Sequence, residues 1–205
     1  MQEVQRMYQS GDNFVIQDIP APTKRLVETA ADRIKAELLM VMKEVSNTFV
    51  NVCDLNIHLD NTDEMQYLSN IYASVVNSNP NLFYVRNGYT YSHSSNQINS
   101  IRPMYIENAH TMIPKYEEEI QRIIDVAISP SSNMNMRDVE KALALHDILA
   151  LQVQYKHVGN FSFTAYGPIV NKQGVCQGYS LAYIDCLKRV GINAMYVPSR
   201  VMNHG

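Results

Sequence analysis

Cys176 and His204 are the side chains in this sequence whose types and spacing suit nucleophilic chemistry. Cys176 lies in Gly174-Val175-Cys176-Gln177-Gly178-Tyr179-Ser180, at the head of an amphipathic segment, and His204 follows 28 positions later. The backbone N–H groups and the dipole at a helix N-terminus stabilise a thiolate, which is the attacking form of cysteine, so the pKa of Cys176 is expected to fall. An imidazole within hydrogen-bond reach would complete a thiolate–imidazolium pair. Gly174 and Gly178 flank the cysteine and leave room for the close approach of a substrate backbone.

The elements that must position these two residues can be read from the pattern around them. Tyr179, Ala182, Tyr183, Cys186, Leu187 and Val190 recur at the spacing of one helix face. Lys188 and Arg189 fall in the last turn, and Gly191 with Ile192 forms a helix stop of the left-handed glycine kind. Ala194 to Val197 reads as a strand, Pro198-Ser199 as a break, and Arg200 to Met202 as a second strand leading to His204. Such a strand pair beside the helix would carry the imidazole back to the sulfur.

The same residues resemble the core of the transglutaminase-like superfamily, whose members share a papain-like Cys-His-Asp arrangement. The likeness rests on Gly-Val-Cys-Gln-Gly-Tyr-Ser followed by a helix, Gly191-Ile192, a strand and a histidine. It extends upstream through Ala165-Tyr166-Gly167-Pro168-Ile169-Val170-Asn171, and through Ala142-Leu143-Ala144-Leu145-His146-Asp147-Ile148-Leu149 with Tyr155 beyond. It covers about residues 136 to 205. The resemblance implies Cys176 as nucleophile, His204 as proton shuttle, and Tyr166 and Gln177 as supports of the cleft or oxyanion site. It also implies a protein or peptide substrate, an amine as possible acceptor, and no cofactor. In the family an aromatic residue and an asparagine commonly follow the histidine, and an acidic or amide residue on the next strand orients the imidazole. This sequence stops at Gly205, so the core is expected to be cut short after the histidine and its catalysis impaired.

Other readings of the same residues stay open. A lone cysteine is often a small buried apolar side chain, and a non-catalytic protein- or cell-surface-binding module would keep the cleft without the chemistry. A zinc site using Cys176 and His204 would need two further ligands that the spacing does not offer. Tyr166 can equally well simply pack. Cys186 lies ten residues along the helix from Cys176, about 15 Å of rise, beyond the ~7 Å span of a disulfide. Cys53 reads as a core residue. His146-Asp147 invites comparison with a catalytic pair, but neighbours on a helix point about 100° apart, so a partly buried pair bonded to nearby loops is expected. His58, His93, His110 and His157 have no partner at i+4, and no metal site is expected.

The 205 residues are 46% apolar with a net charge of −3 and no Lys/Arg cluster, which disfavours nucleic acid as a partner. No apolar run is long enough to span a bilayer, and no signal peptide is evident at Met1 to Met7. The expected fold is α+β: an N-terminal helix and hairpin module over 1–128, then a papain-like helix-plus-antiparallel-sheet core over 134–205. Helices are expected over Thr23 to Asn47, Thr62 to Asn77 and Met112 to Ile128. Asn87-Gly88 signals a hairpin turn, a strand follows from Gln97 to Tyr105, and Ser129 to Asn133 reads as the linker. Asn79 to Val85 also resembles the module ahead of the transglutaminase-like core in secreted or surface proteins of gut-type bacteria, which implies an extracellular or cell-surface setting.

Overall fold

The computed structural model describes residues 53–58, 68–128 and 136–197, in an α+β arrangement of helices and antiparallel sheet. The chain divides into two compact units between His110 and Thr111. The linker expected at Ser129 to Asn133 lies outside the described residues, as does the helix expected over Thr23 to Asn47.

In the first unit, strands β1 (Cys53–His58), β2 (Val85–Ser94) and β3 (Gln97–Tyr105) form an antiparallel sheet in the order β1-β3-β2. Helix α1 (Leu68–Ser78) lays Leu68, Ile71, Tyr72 and Val75 inward, the i, i+3, i+4, i+7 stripe that its sequence carries. The Tyr72 ring packs 4.7 Å from that of Tyr89 on β2, and its hydroxyl donates to the Arg86 carbonyl at 3.0 Å. Ile98 and Ile101 of β3 are fully buried.

The hairpin turn is not where the Asn-Gly signal puts it. Asn87-Gly88 lies inside β2, within an irregular stretch that separates the pairs Val85–Tyr105 and Tyr89–Pro103. Pro103 has no N–H to give to a ladder, so a regular register cannot continue past it, and the extra residues of β2 are absorbed there. The reversal falls instead at Ser95-Asn96, between the paired residues Ser94 and Gln97, with Ser95 at φ 47°. A polar residue with positive φ serves in place of glycine at this turn.

The second unit is built around one helix. It contains α2 (Ala109–Ala127, from Thr111 onward), α3 (Asp138–Gln152), the short parallel strands β4 (Gln154–Tyr155) and β5 (Gln173–Gly174), and α4 (Cys176–Arg189). A 3-10 turn at Asn160–Phe163 and a π-helical turn at Gly167–Asn171 link β4 to β5. α4 is covered on more than the one face its apolar spacing suggests: Leu181, Ile184 and Asp185 are buried along with Ala182, Cys186 and Leu187. Its end follows the expected pattern. Gly191 takes φ 84°, its N–H donates to the Lys188 carbonyl at 3.2 Å, and the Ile192 N–H reaches the Leu187 carbonyl at 2.9 Å. Residues 192–197 form no strand ladder, contrary to the strand expected over Ala194 to Val197. Apolar and β-branched content disposes a segment to extend, but a strand exists only where a neighbour supplies hydrogen bonds, and among the described residues none does.

Charged and polar contacts tie α2 to α4. The buried Tyr116 hydroxyl donates to Asp185 Oδ2 at 2.5 Å, and Arg189 Nε donates to Asp185 Oδ1 at 3.2 Å. Arg189 also grips Glu117 with both terminal nitrogens, at 2.7 and 2.8 Å. Burial pushes the Tyr116 phenol well up and the adjacent Asp185 carboxylate adds to this, so the phenol remains a donor at neutral pH. Tyr116→Phe is expected to lower the unfolding free energy by about 2 kcal/mol, because it strips a buried carboxylate of one donor. Urea denaturation of the two proteins measures the difference.

A second link joins Lys172, just before β5, to Glu119 of α2 at 3.1 Å, with Arg122 on the same carboxylate. Partial burial disfavours ionised Glu119, but the hydrogen bonds from Arg122 and Lys172 outweigh it and hold the carboxyl below its ordinary range. A lowered folded-state value contributes stability that is present above the unfolded glutamate range and is lost as pH falls through the folded value. The stability gap between the wild type and Glu119→Gln is therefore expected to be widest at neutral pH and to close on acidification below the usual glutamate range, as followed by urea denaturation across a pH series.

Candidate active site

Cys176 is the first residue of α4, half-buried, and follows Val175 in extended conformation at the N-cap. Valine offers no acceptor, so the N-cap side chain makes no capping hydrogen bond. Neither a capping bond from the Val175 side chain nor an acidic residue in the first turn therefore offsets the positive end of the helix dipole at Cys176.

The turn that bears Cys176 is held by Ser162. The Ser162 carbonyl accepts the Val175 N–H at 3.0 Å, and its hydroxyl accepts the Val158 N–H at 2.7 Å. The same carbonyl lies so close to Gly178 that a Cβ there would come within 2.3 Å of it. Gly174 has a similar constraint, since a Cβ would meet Pro168 Cγ at 2.6 Å. The clearance left by these two glycines is thus used by the protein's own chain. β4 adds a further anchor: Tyr155 pairs with Gly174, and the Lys156 N–H donates to the Gly174 carbonyl at 2.9 Å.

Of the residues singled out in the sequence, Gln177 stands beside Cys176 in the first turn of α4, half-buried. Tyr166 is buried, with its ring 6.3 Å from Tyr116 in a stacked arrangement and 5.1 Å from Phe161. Burial pushes its phenol up. His204 lies outside the described residues. Cys53 opens β1 opposite Ile101.

Tyr196 is a neighbour of Cys176 that the sequence reading passed over as a strand residue. Burial pushes its phenol up, and Cys176, at the start of α4, adds to the effect. Its signal in the sequence is only its position, eight residues before His204.

His146 and Asp147 differ from expectation. The His146 Nδ1 lies 3.0 Å from Asp147 Oδ1, and both side chains are exposed, at 60% and 61%. Helix geometry separates adjacent Cα–Cβ directions, but the side chains are long enough to curl together over the surface. The His146 ring lies edge-on to Tyr183, 6.1 Å away. Tyr183 is seven residues along α4 from Cys176, about 10 Å of rise, so this pair accompanies the middle of the helix and not the end that bears Cys176. Among the described residues no cluster of three or more His, Cys, Asp or Glu side chains could hold a metal, and no helix is long and apolar enough to cross a membrane. No protein-family model and no curated protein matches the chain.

Cys186 provides an internal contrast. It is fully buried, and burial followed by the charge of Asp185 pushes its thiol up to about 12. Neither Cys176 nor Cys186 is in a disulfide. Iodoacetamide at neutral pH is expected to modify Cys176 while Cys186 stays unmodified in the folded protein, as read by peptide mass mapping. Comparable modification of both would show that the core face of α4 opens to solvent.

Proposed function

We propose that the chain carries a transglutaminase-like cysteine enzyme site that acts on amide bonds through a thioester, with Cys176 as nucleophile and His204 as its proton carrier on a papain-like core. The observation that carries this reading is the position of Cys176 as the half-buried first residue of α4, on a turn held by Ser162. A helix N-terminus favours the thiolate, and an imidazole further along the chain would complete the thiolate–imidazolium pair.

In this reading the Cys176 sulfur attacks the carbonyl carbon of a side-chain or backbone amide, and the carbonyl oxygen becomes an oxyanion that accepts the Cys176 backbone N–H. His204 holds the proton taken from the thiol and gives it to the departing nitrogen, so that ammonia or an amine leaves as the C–N bond breaks. An incoming amine or water then attacks the thioester, loses its proton to His204, and releases the sulfur. An amine acceptor gives a cross-link; water gives deamidation or peptide hydrolysis. Gln177, next to the nucleophile, is placed to support the cleft. Tyr166 would act as a packed support, its ring held against Phe161 and Tyr116.

Incorporation of a fluorescent alkylamine into a glutamine-rich protein, together with ammonia release and peptide hydrolysis, tests the reading. Cys176→Ala and His204→Ala are each expected to lower the rate of whichever reaction occurs by about 10⁴-fold or more. Wild-type protein inactive in all three assays, with Cys176 no more reactive than an ordinary thiol, would replace the enzyme by a binding module.

A further inference from the structure

The surface beside the first turn of α4 carries large apolar side chains in the open. Tyr155 is 64% exposed, Val158 54% and Phe163 41%. Exposed apolar residues scattered singly need no explanation, but these are grouped on one short stretch of chain. The Tyr155 ring stacks on that of Tyr179 at 6.1 Å and 24°, and Tyr179 is one turn along α4 from Cys176, on the same side of the helix. The Phe163 ring meets His157 edge-on at 5.1 Å.

These rings stand on backbone that is fastened to the cysteine's turn. Tyr155 is the strand partner of Gly174, two residues before Cys176, and Phe163 follows Ser162, whose carbonyl binds Val175 and abuts Gly178. The backbone that bears the rings is thus held at the turn that carries Cys176, as a recognition surface requires.

The charged side chain on the stretch that bears these rings is Lys156, since residues 153–163 contain no Asp, Glu or Arg. No Asp or Glu occurs between Asp147 and Asp185, while Lys156 and Lys172 do. Lys172 is committed to Glu119 and to the Ile169 carbonyl, which leaves Lys156, exposed beside Tyr155, and the positive end of α4 to set the local field. A cationic ligand is disfavoured here, and a neutral or acidic one is favoured.

We propose that Tyr155, Tyr179 and Phe163, with Lys156, form a specificity subsite that selects a polypeptide substrate bearing a bulky apolar side chain and an acidic neighbour close to the residue that Cys176 acylates. The inference rests on Cys176 being a nucleophile. Burial of the substrate's apolar side chain against the rings supplies the attraction, and Lys156 supplies the choice between acidic and basic flanks.

Three thiol probes on the full chain separate the two ideas: iodoacetamide, a bromoacetylated Phe-Asp peptide, and a bromoacetylated Lys-Lys peptide. The Phe-Asp probe is expected to modify Cys176 at least about tenfold faster than the Lys-Lys probe. Tyr155→Ala and Phe163→Ala should each remove most of that advantage and leave the iodoacetamide rate unchanged, which also certifies that the variants fold. Lys156→Glu should reverse the preference for the acidic flank. Equal rates for the two peptides with rapid iodoacetamide modification would overturn the subsite alone. Iodoacetamide modification of Cys176 no faster than that of a short cysteine peptide would overturn the nucleophile, and the subsite with it.

Discussion

The close approach of Ser162 to the start of α4 is the constraint on which the candidate site depends. One buried residue accepts the N–H of Val175 with its carbonyl, accepts the N–H of Val158 with its hydroxyl, and sits where any side chain at position 178 would collide with it. Three segments therefore meet at one point: the stretch after β4, the 3-10 turn and the helix that presents Cys176. Glycine at 178 is a requirement of this packing. The position of Cys176 is set by a contact that contains no reactive group.

Further along the same helix, the buried carboxylate of Asp185 performs a related task. An unpaired carboxylate in that position would be costly, and Tyr116 and Arg189 supply its donors from two directions. Arg189 in turn holds Glu117, so α2 is locked to the C-terminal half of α4 while Ser162 locks the N-terminal half. Tyr183 adds a bond to the Ala142 carbonyl at 3.0 Å, and the Tyr179 hydroxyl donates to the Val153 carbonyl, which ties α3 to the third side. A helix held along its whole length can keep its first residue in place for chemistry.

The aromatic residues divide into two kinds by their surroundings. Tyr116 and Tyr166 stack in the interior and give the core its bulk. Tyr155 and Phe163 belong to the same unit but face water. Their side chains are of similar chemistry, so sequence pattern alone does not separate them; the difference arises from which neighbours the fold brings over each ring. For the same reason Tyr196 reads in the sequence as one more strand residue and becomes notable only beside Cys176.

Features that depend on a few consecutive residues were legible in the sequence. The α4 helix, its cysteine start and its Gly191 stop are local, because capping and the 3.6-residue period act within one or two turns, and β3 was bounded correctly for the same reason. Features that depend on a distant partner were not. Asn87-Gly88 has the composition of a hairpin turn, yet it lies in an irregular stretch of β2 between the pairs Val85–Tyr105 and Tyr89–Pro103, and the reversal falls at Ser95-Asn96. Asp185 has the composition of a surface residue on a helix, yet Tyr116, 69 positions earlier, makes it a core group. Sequence by itself determined where the helix that presents Cys176 begins and ends; only the tertiary structure decided which side chains that helix buries, which rings stay exposed and which backbone closes on Gly178, since burial and pairing energies belong to contacts between segments far apart in the chain.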